Sequence, residues 1–160
     1  MTETVKNVEA PPVPGVARNL WTLTVICVLG WIIPGMGHLL IKRTKRAVTF
    51  FVFISFLFLW GLALGAKIWS YEPQQPLTFF AMVSQIGVGI PYFAARAISS
   101  YTQDHPDSLF FDFASRFNFG SGDITRVTFE YGNTFTWVSG LLNFLVILDA
   151  YDLAVGKKKD

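Results

Sequence analysis

Four stretches of this chain contain no Asp, Glu, Lys or Arg: residues 20–41, 47–66, 77–95 and 131–148. They are 22, 20, 19 and 18 residues long, so all 24 charged side chains fall in the remaining 81 positions. A helix rises 1.5 Å per residue, and about 20 apolar residues cross a hydrocarbon core of ~30 Å. A soluble domain of 160 residues lacks the volume to bury four such runs. The pattern predicts an all-α integral membrane protein with four hydrophobic segments, spanning about 20–41, 47–66, 77–98 and 134–155.

These spans form a single membrane domain over 20–155. Ahead of it, residues 1–19 are polar and carry Pro11, Pro12, Pro14 and Gly15, which predicts a disordered tail. Behind it, 156–160 form a basic tail. The first span is interrupted: Pro34 disfavours helical geometry at Ile33, and Gly35 and Gly37 follow. It is therefore a kinked span or a re-entrant hairpin. The third is weakened by Gly87, Gly89 and Pro91. Trp21, Trp69, Tyr71, Tyr101, Tyr131, Trp137 and Tyr151 sit near segment ends, as an interfacial aromatic belt requires. In the extramembrane loop 99–133, Phe110, Phe113 and Phe117 share one face of an expected helix from Leu109 to Asn118, an interfacial amphipathic helix. Alternation over Ile124–Glu130 suggests a short strand. No internal repeat is apparent.

Charge excludes some functions. A net charge of +2 gives no basic field for nucleic acid. The lone Cys27 permits neither an intrachain disulfide nor a thiolate cluster. With only His38 and His105 as imidazoles, no metal centre is expected, and no cofactor motif is present. No nucleophilic triad, zinc-protease or phosphate-loop pattern occurs, so no enzyme is expected.

Two segments resemble known families. Trp31, Ile32, Ile33, Pro34, Gly35, Met36, Gly37 and His38, followed by a basic turn and a Phe-rich span, resemble a hairpin of small bacterial membrane proteins with a Pro-Gly-x-Gly-His/Gln element. The run is more distantly similar to the two-transmembrane-helix family. The tail Glu130–Phe135, with Gly140–Asn143 and Asp149–Asp152, looks like an uncharacterised bacterial family of unknown function. The resemblance implies a small bacterial polytopic membrane protein and supplies no catalytic residue.

The candidate site residues follow from what a bilayer penalises. His38, beside the break at Pro34, Gly35 and Gly37, reads as a proton relay or as a cap on freed carbonyls. Asp149 and Asp152, at i and i+3, form a carboxylate pair near the end of the fourth span. They continue the row of Val138, Leu142 and Leu145, rotated away from Gly132, Thr136, Gly140 and Asn143. The latter row, Gly61 and Gly65 are suited to close helix packing, against this chain or a second copy. Lys42, Arg43, Lys45 and Arg46 make a basic turn that binds anionic headgroups or anchors topology.

The expected function is a structural or interaction subunit of a bacterial cytoplasmic membrane. Its partners are the bilayer and either a second copy or a larger complex. The rival expectation is a small transporter or channel component using His38 and Asp149/Asp152. With four full spans, the two sides carry seven and six Lys/Arg, close to a tie. The basic flank of the first segment favours a cytoplasmic Lys42–Arg46 turn and leaves Lys157–Lys159 outside.

Overall fold

A computed structural model describes residues 19–105 and 120–157. The expected N-terminal tail, the helix at 109–118 and the last three residues of the basic tail lie outside those residues. Among the described residues there are six helices and no strands: α1 (Leu20–Ile32), α2 (Met36–Leu40), α3 (Thr44–Ala63), α4 (Pro76–Ile86), α5 (Ile90–Asp104) and α6 (Phe129–Val155).

Among the described residues, only α3 and α6 are single helices long and apolar enough to cross a membrane; counting the bent pair α4–α5 as one span makes three. Four straight spans are therefore not what forms. At 20 and 27 residues, α3 and α6 reach about 30 and 40 Å. They run antiparallel, because Gly61 near the end of α3 packs on Gly132 and Thr136 near the start of α6.

The first apolar segment folds back on itself. Ile33, ahead of Pro34, is extended (φ −124, ψ 114), and Gly35 takes a left-handed φ of 81. A Cβ on Gly35 would overlap the Ala47 carbonyl oxygen, so the turn folds flat against α3 only with glycine there. α2 then retraces α1: Gly37 lies against Ile26 and Ala150, and Ile41 joins Leu23 beside Ala154. Of the two sequence readings, the hairpin is the one that forms.

The third segment does the same from the opposite end. α4 and α5 are bent by 117° about Gly87–Gly89. Pro76 and Pro91 occupy first-turn positions, where a missing N–H costs nothing, so Pro91 starts a helix rather than weakening one. Both arms reach the residues after α3: Thr78 bonds Glu72 and Gln75, while Arg96 donates to Ser70. The chain thus repeats hairpin-then-long-helix twice, the second time upside down. A Gly-x-Gly beside a proline marks each break, Pro34-Gly35-Met36-Gly37 and Gly87-Val88-Gly89 with Pro91. That is the internal repeat the linear sequence conceals.

Two smaller expectations also give way. Ile124–Glu130 is not a strand: both Thr125 donors bond Asp123 Oδ1, closing a turn, and Phe129 and Glu130 already belong to α6. Gly65 lies beyond α3, not in a helix contact. Its N–H bonds the Leu62 carbonyl and that of Ala66 bonds Gly61, a Schellman cap with φ 94 at the glycine.

Along α6 polarity is inverted relative to a water-soluble fold. It buries Asn133, Thr136, Ser139, Gly140 and Asn143 and exposes Leu141, Leu145 and Leu148. α3 buries Ile54, Phe58 and Leu62 in an apolar core but exposes Val52, Phe53, Phe56 and Leu59 as well. Large apolar side chains on the outside, with amides and small residues beside the apolar core inside, suit a hydrocarbon solvent, consistent with an integral membrane protein.

Candidate functional site

The two hairpin tips meet near the middle of α6, and Asn143 joins them. Its fully buried Nδ2 donates to the Gly87 carbonyl at 2.9 Å and the Gly30 carbonyl at 3.3 Å. Both carbonyls lie where a helix ends and has no further turn to bond. Trp31 Nε1 donates to Ile86 O at 3.1 Å, a second link between the tips. Asn143 Oδ1 has no partner among the described residues. Gly140, one turn earlier, permits this approach: a Cβ there would overlap Ser84 O.

A second amide cluster serves residues 66–69, which enter the bundle as extended backbone after α3. Gln85 accepts from Trp69 N–H at 2.9 Å and donates to Lys67 O at 2.8 Å, as a neighbouring strand would. It also donates to Thr136 Oγ1 at 3.0 Å. Asn133 Oδ1 accepts from Lys67 N–H at 3.0 Å, and Ile68 N–H bonds Gly120 O. Non-helical backbone is tolerated at membrane depth only when so paired. Sequence reading missed Gln85 and Asn133. Their signal is a carboxamide inside an otherwise apolar run.

The ionisable pair lies toward the other end of α6. His38 Nε2 and Asp149 Oδ2 are 3.0 Å apart, with His38 wholly buried and the Asp149 side chain 23% exposed. His38 Nδ1 has no partner among the described residues, and the ring tilts against Phe50. Asp149 thus faces α2 across the bundle. Asp152 is half-buried one turn further on. Pro34 and Gly37 are buried in the hairpin, so the Pro34-Gly35-Gly37 break presents His38 to α6. Chemically, the pair can exchange a proton or hold α2 to α6; among the described residues no third His, Cys, Asp or Glu joins it.

Of the expected packing residues, Gly61, Thr136, Gly140 and Asn143 are brought into one internal seam. A Cβ on Gly61 would stand 2.7 Å from both Gly132 O and Thr136 Cγ2. Lys42, Arg43, Lys45 and Arg46 stand together at the turn between α2 and α3, away from the amide clusters, with Lys42 at a left-handed φ of 62. At the opposite end, the Thr125 hydroxyl and N–H, then Arg126, hold the Asp123 carboxyl below its ordinary range.

A model of a family described as "Family of unknown function (DUF6677)" matches residues 25–159, which takes in both long helices, the second hairpin and the first hairpin from residue 25 onward. No curated protein and no solved structure matches.

Proposed function

The chain belongs to this family of unknown function, and from that premise we propose a non-enzymatic structural or interaction subunit of a bacterial cytoplasmic membrane. One observation carries the reading: each of the buried carboxamides Gln85, Asn133 and Asn143 bonds the protein's own backbone. Asn143 holds the two tips, Gln85 and Asn133 hold residues 66–69, and Thr136 receives Gln85. Such groups make a rigid plug that offers large apolar side chains to its surroundings. Gly61 and Gly140 are occupied internally, so a partner engages the outer faces of α3 and α6.

Charge supports an orientation. With both hairpins returning, Lys42, Arg43, Lys45, Arg46 and Lys157 share one end. Lys67, Arg96 and Arg126 belong to the other end. Among the described residues the near-tie expected for four spans becomes an excess of five to three, and the basic end is cytoplasmic.

A second reading, a small transporter or channel component, draws on the opposed hairpins. Half-crossing helices that meet at mid-depth form ion and substrate sites in transporters, and His38 Nε2 lies 3.0 Å from Asp149 Oδ2, within reach for a proton transfer. Proteoliposomes under a pH gradient separate the two. The subunit reading expects vesicles as tight as protein-free ones and a membrane protein co-purifying in mild detergent. Flux above the empty-vesicle level that falls in His38→Ala or Asp149→Asn replaces it with the second.

A further inference from the structure

Between the tip of the first hairpin and the opening turns of α3 runs a wholly apolar groove of about 140 Å³, lined by Ile33, Pro34, Met36, Leu39, Val48 and Phe51. Its base is the close contact of Gly35 with Ala47. Both walls lead directly into the basic turn: Lys42 N–H bonds the Leu39 carbonyl and Ala47 N–H bonds the Arg43 carbonyl, each at 3.0 Å. Lys42 and Lys45 are exposed there. Lys42 holds a left-handed conformation that glycine or asparagine would adopt more easily, so the turn keeps a cation where its backbone would prefer none.

An apolar slot opening into hydrocarbon is filled by an acyl chain, and cations at its mouth select the headgroup. We propose that the groove and the basic turn together bind one anionic phospholipid, with an acyl chain along Val48 and Phe51 and the phosphate between Lys42 and Lys45. A contrast within the molecule sharpens the assignment. The apolar groove at the opposite end, lined by Tyr71, Pro73 and Phe80 among others, is bordered by Glu72, whose carboxylate lies 3.8 Å from Lys67 Nζ. Its mouth is electrically balanced and favours no anion.

The proposal rests on the reading that the chain is membrane-embedded with the basic end at a membrane surface. Its test uses full-length protein in a neutral detergent, titrated with phosphatidylglycerol or with phosphatidylcholine of the same acyl chains. Native mass spectrometry reads retained lipid, and thermal melting reads stabilisation. One phosphatidylglycerol per chain should be retained and should raise the melting temperature, while phosphatidylcholine is lost. Lys42→Gln with Lys45→Gln should weaken retention about tenfold. Val48→Trp, which fills the exposed groove, should abolish it without changing the lipid-free melting temperature, and Lys67→Gln should leave it unchanged. Inorganic phosphate should not displace the lipid. Equal retention of both lipids, or phosphatidylglycerol binding untouched by the two lysine changes and by Val48→Trp, overturns the proposal. Protein that stays in membranes through an alkaline carbonate wash yet shows no such preference fails this proposal alone; release by the wash fails the membrane reading.

Discussion

Gly89 sits against Trp31 so closely that a methyl group on Gly89 would overlap the Trp31 carbonyl oxygen. The contact joins the tips of two hairpins that enter from opposite ends of the bundle. It brings the two backbones into direct contact, and the junction is held by the Asn143 amide and the Trp31 indole N–H. Gly89 meets the demand twice, because its φ of 78 with ψ −133 is open to little besides glycine.

Asn143→Leu removes the donor shared by Gly30 O and Gly87 O while keeping the volume. Each buried carbonyl left unpaired costs roughly 1–3 kcal/mol, so a loss of about 2–5 kcal/mol is expected. Denaturation in detergent micelles measures it. Stability within ~0.5 kcal/mol of wild type would show that the tips do not depend on this amide.

Gly140→Ala and Gly61→Leu should act on the fold of one chain, not on association between chains. The added atoms meet Ser84 O in the first case and Gly132 O with Thr136 in the second. Forced helix separation of this kind costs about 1–3 kcal/mol or more. Both variants should melt earlier at unchanged oligomeric state in size-exclusion chromatography. Normal melting with a changed oligomer would place these glycines at an interface between copies.

Topology can be read with a membrane-impermeant thiol reagent in a Cys27→Ala background. Cysteines at 44 and 157 should be labelled from the same side, and cysteines at 73 and 125 from the other. Labelling of 44 and 157 from opposite sides would mean that one hairpin crosses the membrane.

His38→Ala should destabilise more than Asp149→Asn. The first empties a fully buried site and removes the imidazole from the Asp149 carboxylate; the second keeps a hydrogen-bonding group opposite Nε2. Expected losses are about 2–4 and about 1 kcal/mol. The reverse order would show that the carboxylate charge, not the buried ring, holds the hairpin to α6.

The turn before α6 should carry a pH signature. Hydrogen bonds from Thr125 depress the Asp123 carboxyl. A lowered folded value means that its stabilising effect is complete above the ordinary carboxylate range and is lost as pH falls through the depressed value. A carbon-13 titration should place the Asp123 midpoint below that of an unstructured aspartate, and Thr125→Ala should raise it. A midpoint at or above the unstructured value contradicts the turn geometry.

Membrane-like apolar segments and the inward row Thr136, Gly140 and Asn143 were legible in the sequence, because charge exclusion and small-residue spacing are local signals. The break at Pro34 was legible for the same reason. Whether a broken helix continues across or turns back was not. That choice depends on partners more than a hundred residues away, Ala150 for Gly37 and Asn143 for Gly30. Asp149 was placed on a face turned away from the packing seam. The hairpin supplies a second surface there, and His38 closes on it. Gln85 stayed hidden because its partners are backbone atoms of residues 67 and 69, which carry no side-chain code.

The position of Asn143 in the last helix sets an order of events for biogenesis. During synthesis, α1–α2 and α4–α5 emerge before the residue that joins them exists. Until α6 is made, the Gly30 and Gly87 carbonyls lack the Asn143 amide, although the first hairpin already has α3 to fold against. The junction of the two tips therefore closes only once α6 is present. A chain interrupted before residue 143 leaves both carbonyls without their shared donor.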